Sequence, residues 1–138
     1  MLAARVDERE LLSRIDALEK RGGNLSPVMA VISEIMLGGV EDEFETEGRG
    51  QWPPLAPSTL RRRRGGSAKI LQDTGVLAGS AYARHGADFA EVGLGARYAI
   101  YHVTGTSRMP ARNPFDVADR VWDEAVNALF DYLAEAGA

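Results

Sequence analysis

Apolar residues recur at helical spacing in three stretches of the chain. Leu11, Leu12, Ile15 and Leu18 step by one, three and three, which gathers them on one face of a helix. Asp7 precedes them with Glu10 three residues on, a capping box with Asp in place of Ser or Thr. Arg21-Gly22-Gly23 supplies the stop, so the pattern predicts a helix from Glu8 to Arg21. A second stripe, Met29, Ile32, Met36, Val40 and Phe44, predicts a helix that Ser26 caps, with Pro27 in its first turn, running to Thr46. Gly38-Gly39 lies inside it, which implies a bend or a closely packed backbone, since each glycine costs roughly 1 kcal/mol against alanine. A third stripe is Val121, Trp122, Ala125, Leu129, Tyr132 and Leu133. It predicts a helix capped by Asp116, with Asp119 as favourable first-turn charge, ending near Ala136-Gly137.

Between the second and third stripes the period changes. Pro53, Pro54 and Pro57 make Gly48 to Pro57 a loop, and Trp52 and Leu55 are its apolar anchors, expected to hold it on the core. Ser58 is expected to cap a short helix through Arg61, Arg62, Arg63 and Arg64, with Gly65-Gly66-Ser67 as a flexible exit. Thr74 is expected to cap a single turn from Gly75 to Leu77. Ser80, Tyr82 and Arg84 alternate with Ala81, Ala83 and His85, and Phe89 to Leu94 alternates again after Gly86-Ala87-Asp88. That is a β-hairpin signature. Arg97 to His102 fits either a strand or a short helix, and Val103 to Pro114 reads as a long loop. Leu2 to Val6 is a candidate short strand. With no repeat and no compositional break, the reading is one α+β domain over 1–138. It has three main helices packed on a small antiparallel sheet, with long Gly/Pro loops.

Composition removes whole classes of chemistry. The chain has 138 residues, 45% hydrophobic and 26% charged, enough for one real core. It has no cysteine and only two histidines, His85 and His102. This excludes disulfides, thiolate metal sites, cysteine nucleophiles and a His-rich metal site. No apolar run approaches the ~20 residues of a membrane span, so no membrane partner is expected. The start, MLAARVDERE, has no hydrophobic signal core, so nothing points to secretion.

Charge is segregated along the chain. Residues 1–48 hold 5 basic and 11 acidic groups, residues 49–72 hold 6 basic and none acidic, and residues 115–138 hold 1 basic and 6 acidic. A dipolar chain of this kind can pair with copies of itself. The acidic end of the second helix, with Glu41, Glu43 and Glu47, opposes the helix dipole. Either it is solvated or a basic group compensates, and Arg61–Arg64 is the evident supply. Those arginines admit three readings: contact with an acidic protein neighbour, DNA phosphate contact without base reading, or solvated charge. Net charge of −4 argues against coating nucleic acid in bulk.

No phosphate loop or nucleophile elbow occurs; Gly93-Leu94-Gly95 lacks the rest of a dinucleotide fingerprint. Ser80, His102 and Asp73 form a nucleophilic trio only on paper. His102 beside Tyr98 and Tyr101 reads better as a structural hydrogen bonder. No catalytic residue, metal site or cofactor is expected.

The middle of the chain carries an ordered set of motifs. Trp52-Pro53-Pro54-Leu55 is followed by Thr59 and the arginines, then Ile70-Leu71-Gln72-Asp73-Thr74-Gly75-Val76-Leu77. After the hairpin come Val92-Gly93, then Tyr98-Ala99-Ile100-Tyr101-His102-Val103-Thr104-Gly105, then Met109-Pro110-Ala111-Arg112-Asn113-Pro114-Phe115. In this order they resemble the phage virion morphogenesis family, the tail-completion and neck proteins of Mu-like and P2-like tailed phages. Val103 stands where the family pattern has Gln, and Asn113 separates Arg112 from Pro114-Phe115. The resemblance implies a non-enzymatic ring, most simply a hexamer, at the tail terminus or head–tail neck. Its partners would be its own copies, adjacent neck and tail-tube proteins, and packaged DNA by non-specific contact. Its location would be the virion, and the host cytoplasm during assembly. The alternative from the residues alone is a small DNA-binding regulator using Arg61–Arg64.

Overall fold

A computed structural model describes residues 7–20, 24–61, 70 and 76–136. The element order is α1 (Glu8–Lys20), α2 (Ser26–Thr46), α3 (Pro57–Arg61), α4 (Val76–Gly79), β1 (Ala81–His85), β2 (Ala90–Leu94), α5 (Ala99–Thr104) and α6 (Asp119–Ala136). The two strands pair in one antiparallel hairpin sheet, so the fold is α+β as expected. Leu2–Val6, Arg21-Gly22-Gly23, Arg62–Arg64, Gly65-Gly66-Ser67, Thr74-Gly75 and Gly137 lie outside the described residues.

The helix starts follow local polar chemistry, with corrections in register. Asp7 caps α1: its Oδ1 accepts from the backbone N–H groups of Arg9 at 3.0 Å and Glu10 at 3.2 Å. At α2 the cap sits earlier than expected. Ser26 is already helical, the Leu25 carbonyl accepts the first helical bond from Met29 at 2.9 Å, and the Asn24 side chain accepts from the Ser26 N–H at 2.9 Å. Asp116 does not cap α6. The helix begins at Asp119, with the Ala118 carbonyl accepting from the Val121 N–H at 3.0 Å. Asn113 uses the residues before it: its Oδ1 accepts from the Phe115 N–H at 2.9 Å and its carbonyl from the Asp116 N–H at 3.3 Å. That Asx-type turn competes with an earlier helix start. α3 begins at Pro57, with Ala56 accepting its first bonds. Arg97–His102 resolves as helix from Ala99, and α5 shortens the loop expected from Val103.

α2 continues through Gly38-Gly39, where Gly38 is exposed with open space around it and Gly39 is buried. The chain divides into two compact units: residues up to Met36 with Ala83–Glu91 and the chain from Ala118 onward, and Leu37–Tyr82 with Val92–Val117. In the first, Leu25, Val28 and Leu133 are the buried centre. Leu11 and Ile15 of α1, Met29 and Ile32 of α2, and Ala128, Leu129 and Tyr132 of α6 pack around them. The Tyr132 hydroxyl donates to the Asn24 carbonyl, tying α6 to the start of α2. Trp122, expected on the apolar face, is exposed instead; the buried face of α6 runs through Val121, Ala125 and Leu133. Among the described residues of the second unit, Val40, Phe44, Ile70, Leu77, Ala99, Pro114 and Val117 are buried.

Leu133→Ala removes the centre of the first unit and is expected to cost about 2–5 kcal/mol, measured as a shift of the urea midpoint at unchanged m-value.

Candidate functional site

A set of polar contacts in the second unit surrounds the acidic end of α2. The helix ends in a left-handed turn: Glu47, Gly48, Arg49 and Gly50 have φ of 55°, 66°, 57° and 74°. The turn returns backbone N–H groups to carbonyls that the helix end leaves open. Gly48 donates to the Glu43 carbonyl at 2.8 Å, Gly50 to Thr46 at 2.9 Å and Trp52 to Glu47 at 3.2 Å. Two non-glycine residues in this region carry a strain of roughly 1–2 kcal/mol each. A Cβ on Gly48 would lie 2.2 Å from Trp52 Cδ1, so the indole packs directly on that backbone. Trp52 is half-buried, edge-on to buried Phe44 with ring centroids 5.9 Å apart. Trp52 is therefore an anchor within the fold; Leu55 is half-buried.

The turn aims its side chains. Arg49 Nε lies 2.9 Å from Oε1 of Glu43, which is only 2% exposed, and Arg49 Nη2 donates to the Asp116 carbonyl at 2.8 Å. Glu47 Oε1 accepts from the Ile70 N–H at 2.9 Å. Glu43 and Glu47, candidates for contact between subunits, are thus engaged within the chain, and Arg49 answers the acidic helix end. Glu41 is exposed. Burial raises the Glu43 carboxyl above its ordinary value of 4.5; Arg49 opposes this by charge and hydrogen bond, while Asp116 and Asp42 add to the rise.

A second clamp holds the proline loop. Arg112 is buried, its Nε donates to the Pro53 carbonyl at 2.9 Å and its Nη2 to Pro54 at 3.1 Å. Its backbone N–H donates to the His102 carbonyl at 2.8 Å, linking the loop to α5. Tyr98 is exposed and stands edge-on to the half-buried His102 ring at 5.7 Å. Gly105 has φ 76° and ψ 168°, a region essentially reserved for glycine. A Cβ there would lie 2.7 Å from the Ala111 backbone nitrogen. Pro110 is exposed and Phe115 half-buried.

Of the motif residues, Trp52, His102, Gly105 and Arg112 thus act on this loop framework. Leu71, Asp73, Thr74 and Gly75 lie outside the described residues, as do Arg62–Arg64; Arg61 is exposed. The Ser80 hydroxyl donates to the Leu77 carbonyl at 2.7 Å, a use within its own turn. Among the described residues no three Asp, Glu or His side chains converge as a metal site, and no helix is long and apolar enough to cross a membrane. Sequence reasoning does not single out Arg49. Its available signal is a basic residue between two glycines directly after an acidic helix end.

The model of the phage virion morphogenesis family matches residues 6–133, and the chain belongs to that family. Its role is therefore one in phage virion structure and morphogenesis, among other virion components. No curated protein and no solved structure matches the chain.

Glu43 makes stability depend on pH in an unusual direction for a carboxylate. Its folded form holds a proton to higher pH than the unfolded form, so its contribution is complete below the ordinary value of 4.5. That contribution is lost as pH rises through the raised value. Glu43→Gln has no such loss. Melting temperatures across pH 4–8 are expected to rise for the variant relative to the parent through that window.

Arg112→Ala removes two charged hydrogen bonds and is expected to cost roughly 2–4 kcal/mol, with protease cleavage appearing first between Gly50 and Pro57.

Proposed function

We propose that the chain is a structural subunit of a tailed-phage virion that forms a ring at the tail terminus or the head–tail neck. There it completes the tail and supports joining to the head. The family match over residues 6–133 carries this reading. Segregated charge supports it, because a ring subunit needs two different faces that complement each other, and a head-to-tail contact closes by rotation. The ring is taken as a hexamer of non-catalytic subunits, with neighbouring neck and tail-tube proteins as partners.

Arg61–Arg64 contribute register in this reading. Exposed single ion pairs contribute only about 0–1 kcal/mol, so they select partners rather than drive assembly. The acidic partners on the adjacent copy are drawn from exposed carboxylates such as Glu41, since Glu43 and Glu47 are engaged within the chain. The alternative, a DNA-binding regulator, rests on the arginine run alone.

The native mass of the protein within assembled particles tests the proposal; a ring of copies is expected, and a single copy or absence from the neck and tail overturns it. Changing all four arginines to glutamine is expected to weaken ring assembly at moderate salt. If rings persist while DNA is lost from particles, these arginines face the channel instead.

A further inference from the structure

One apolar surface lies beside the loop framework described above. In α5 the buried residue is Ala99, 8% exposed, while Tyr98, Ile100 and Tyr101 are 43%, 56% and 56% exposed. Isolated surface apolar residues are ordinary, but three exposed within four positions leave more apolar surface in solvent than one scattered residue does. Exposed Arg97 borders it.

A second apolar surface lies on α2. Ala30, Val31, Glu34 and Ile35 form a shallow, widely open face of that helix, with Val31 half in solvent and Glu34 exposed. A face this open does not enclose a small ligand, and among the described residues that line it Glu34 is the one polar side chain. An open apolar face with one acid beside it fits an apolar surface accompanied by a cation or a hydroxyl. The α5 patch offers both, with Arg97 and two tyrosine hydroxyls.

We infer that the Tyr98–Ile100–Tyr101 surface at the start of α5 packs on the shallow Ala30–Val31–Ile35 face of a second copy, with Arg97 facing that copy's Glu34. This rests on the ring reading above and names its contact. The two surfaces are different parts of the chain and carry opposite charge, so the contact is heterologous and leaves one free surface at each end, as ring closure requires. Aromatic side chains bury 150–250 Å² each, and such anchors commonly dominate the affinity of larger interfaces.

The chain has no cysteine, so introduced cysteines report contact directly. Val31→Cys and Ile100→Cys chains are mixed under mild oxidation and read by non-reducing gels. Wild-type protein is weighed alongside by native mass spectrometry, alone and in particles. Cross-linked dimers are expected in the mixture and not from either variant alone, and the double variant is expected to give a covalent ladder. Tyr101→Glu is expected to weaken self-association at least roughly tenfold. Should that variant fold poorly, charge reversal replaces it: Arg97→Glu weakens assembly and Glu34→Arg restores it. Cross-linking of Ile100→Cys to itself shows a two-fold contact and overturns the pairing. Wild-type rings without cross-links, undisturbed by Tyr101→Glu, overturn this surface and leave the ring reading standing. A wild-type protein that is monomeric in solution and in particles overturns both. Binding of oligodeoxythymidine that Tyr101→Glu abolishes, without cross-links, assigns the patch to nucleic acid and also overturns the pairing.

Discussion

A carboxyl group buried at the end of a helix meets two penalties at once. It loses water, and it sits at the negative pole of the helix dipole. Glu43 is in that position, and Arg49 is the guanidinium that answers it. The two are six positions apart, and a right-handed continuation of α2 would carry Arg49 onward along the axis. The chain reverses instead through consecutive positive-φ residues. Strain in the turn and neutralisation of the carboxylate are two sides of one arrangement. The same reversal puts Trp52 on Gly48 and brings Arg49 to the Asp116 carbonyl. The proline loop and the chain before α6 are therefore both positioned from this pair.

Much of the fold is legible because most of its signals are local. The apolar stripe of α2 and the Asp7 cap need only nearby residues, and both appear where the sequence places them. Legibility fails where a distant or competing partner decides. Asp116 is a good cap in isolation, yet Asn113 captures its N–H and the helix waits until Asp119. Trp122 fits the helical period, yet the packed face is narrower than the stripe and leaves it outside. The left-handed turn is visible only as Gly48 and Gly50 flanking Arg49. The role of Arg112 is not visible at all, because its acceptors, Pro53 and Pro54, lie nearly sixty residues earlier. The motif order pointed to the family without showing why those residues are needed. The clamp supplies a reason for Arg112, Gly105 and the prolines.

The clamp also separates two kinds of residue within one motif. In Tyr98 to Gly105, Ala99 and Gly105 face packed backbone or core, while Tyr98, Ile100 and Tyr101 face solvent. Among the described residues no strand pairs with the proline carbonyls, and Arg112 satisfies two of them with one planar group. The loop is thereby held by a side chain rather than by a sheet. A rigid base under an exposed aromatic surface reduces the ordering entropy that docking demands.

Beyond Gly105 the chain makes a small closed loop, in which the Thr106 N–H donates to the Met109 carbonyl at 2.9 Å. Ser107 and Arg108 form its exposed tip. Because the Thr106–Met109 bridge closes the loop below the tip, extra residues spliced between Ser107 and Arg108 leave that pairing and the Arg112 clamp in place. Loop tips of this kind accept insertions, and the entropy cost of lengthening such a loop grows only slowly. The tip is thus a natural port for an epitope or a heavy-atom marker, through which the subunit can be located by microscopy inside an intact particle.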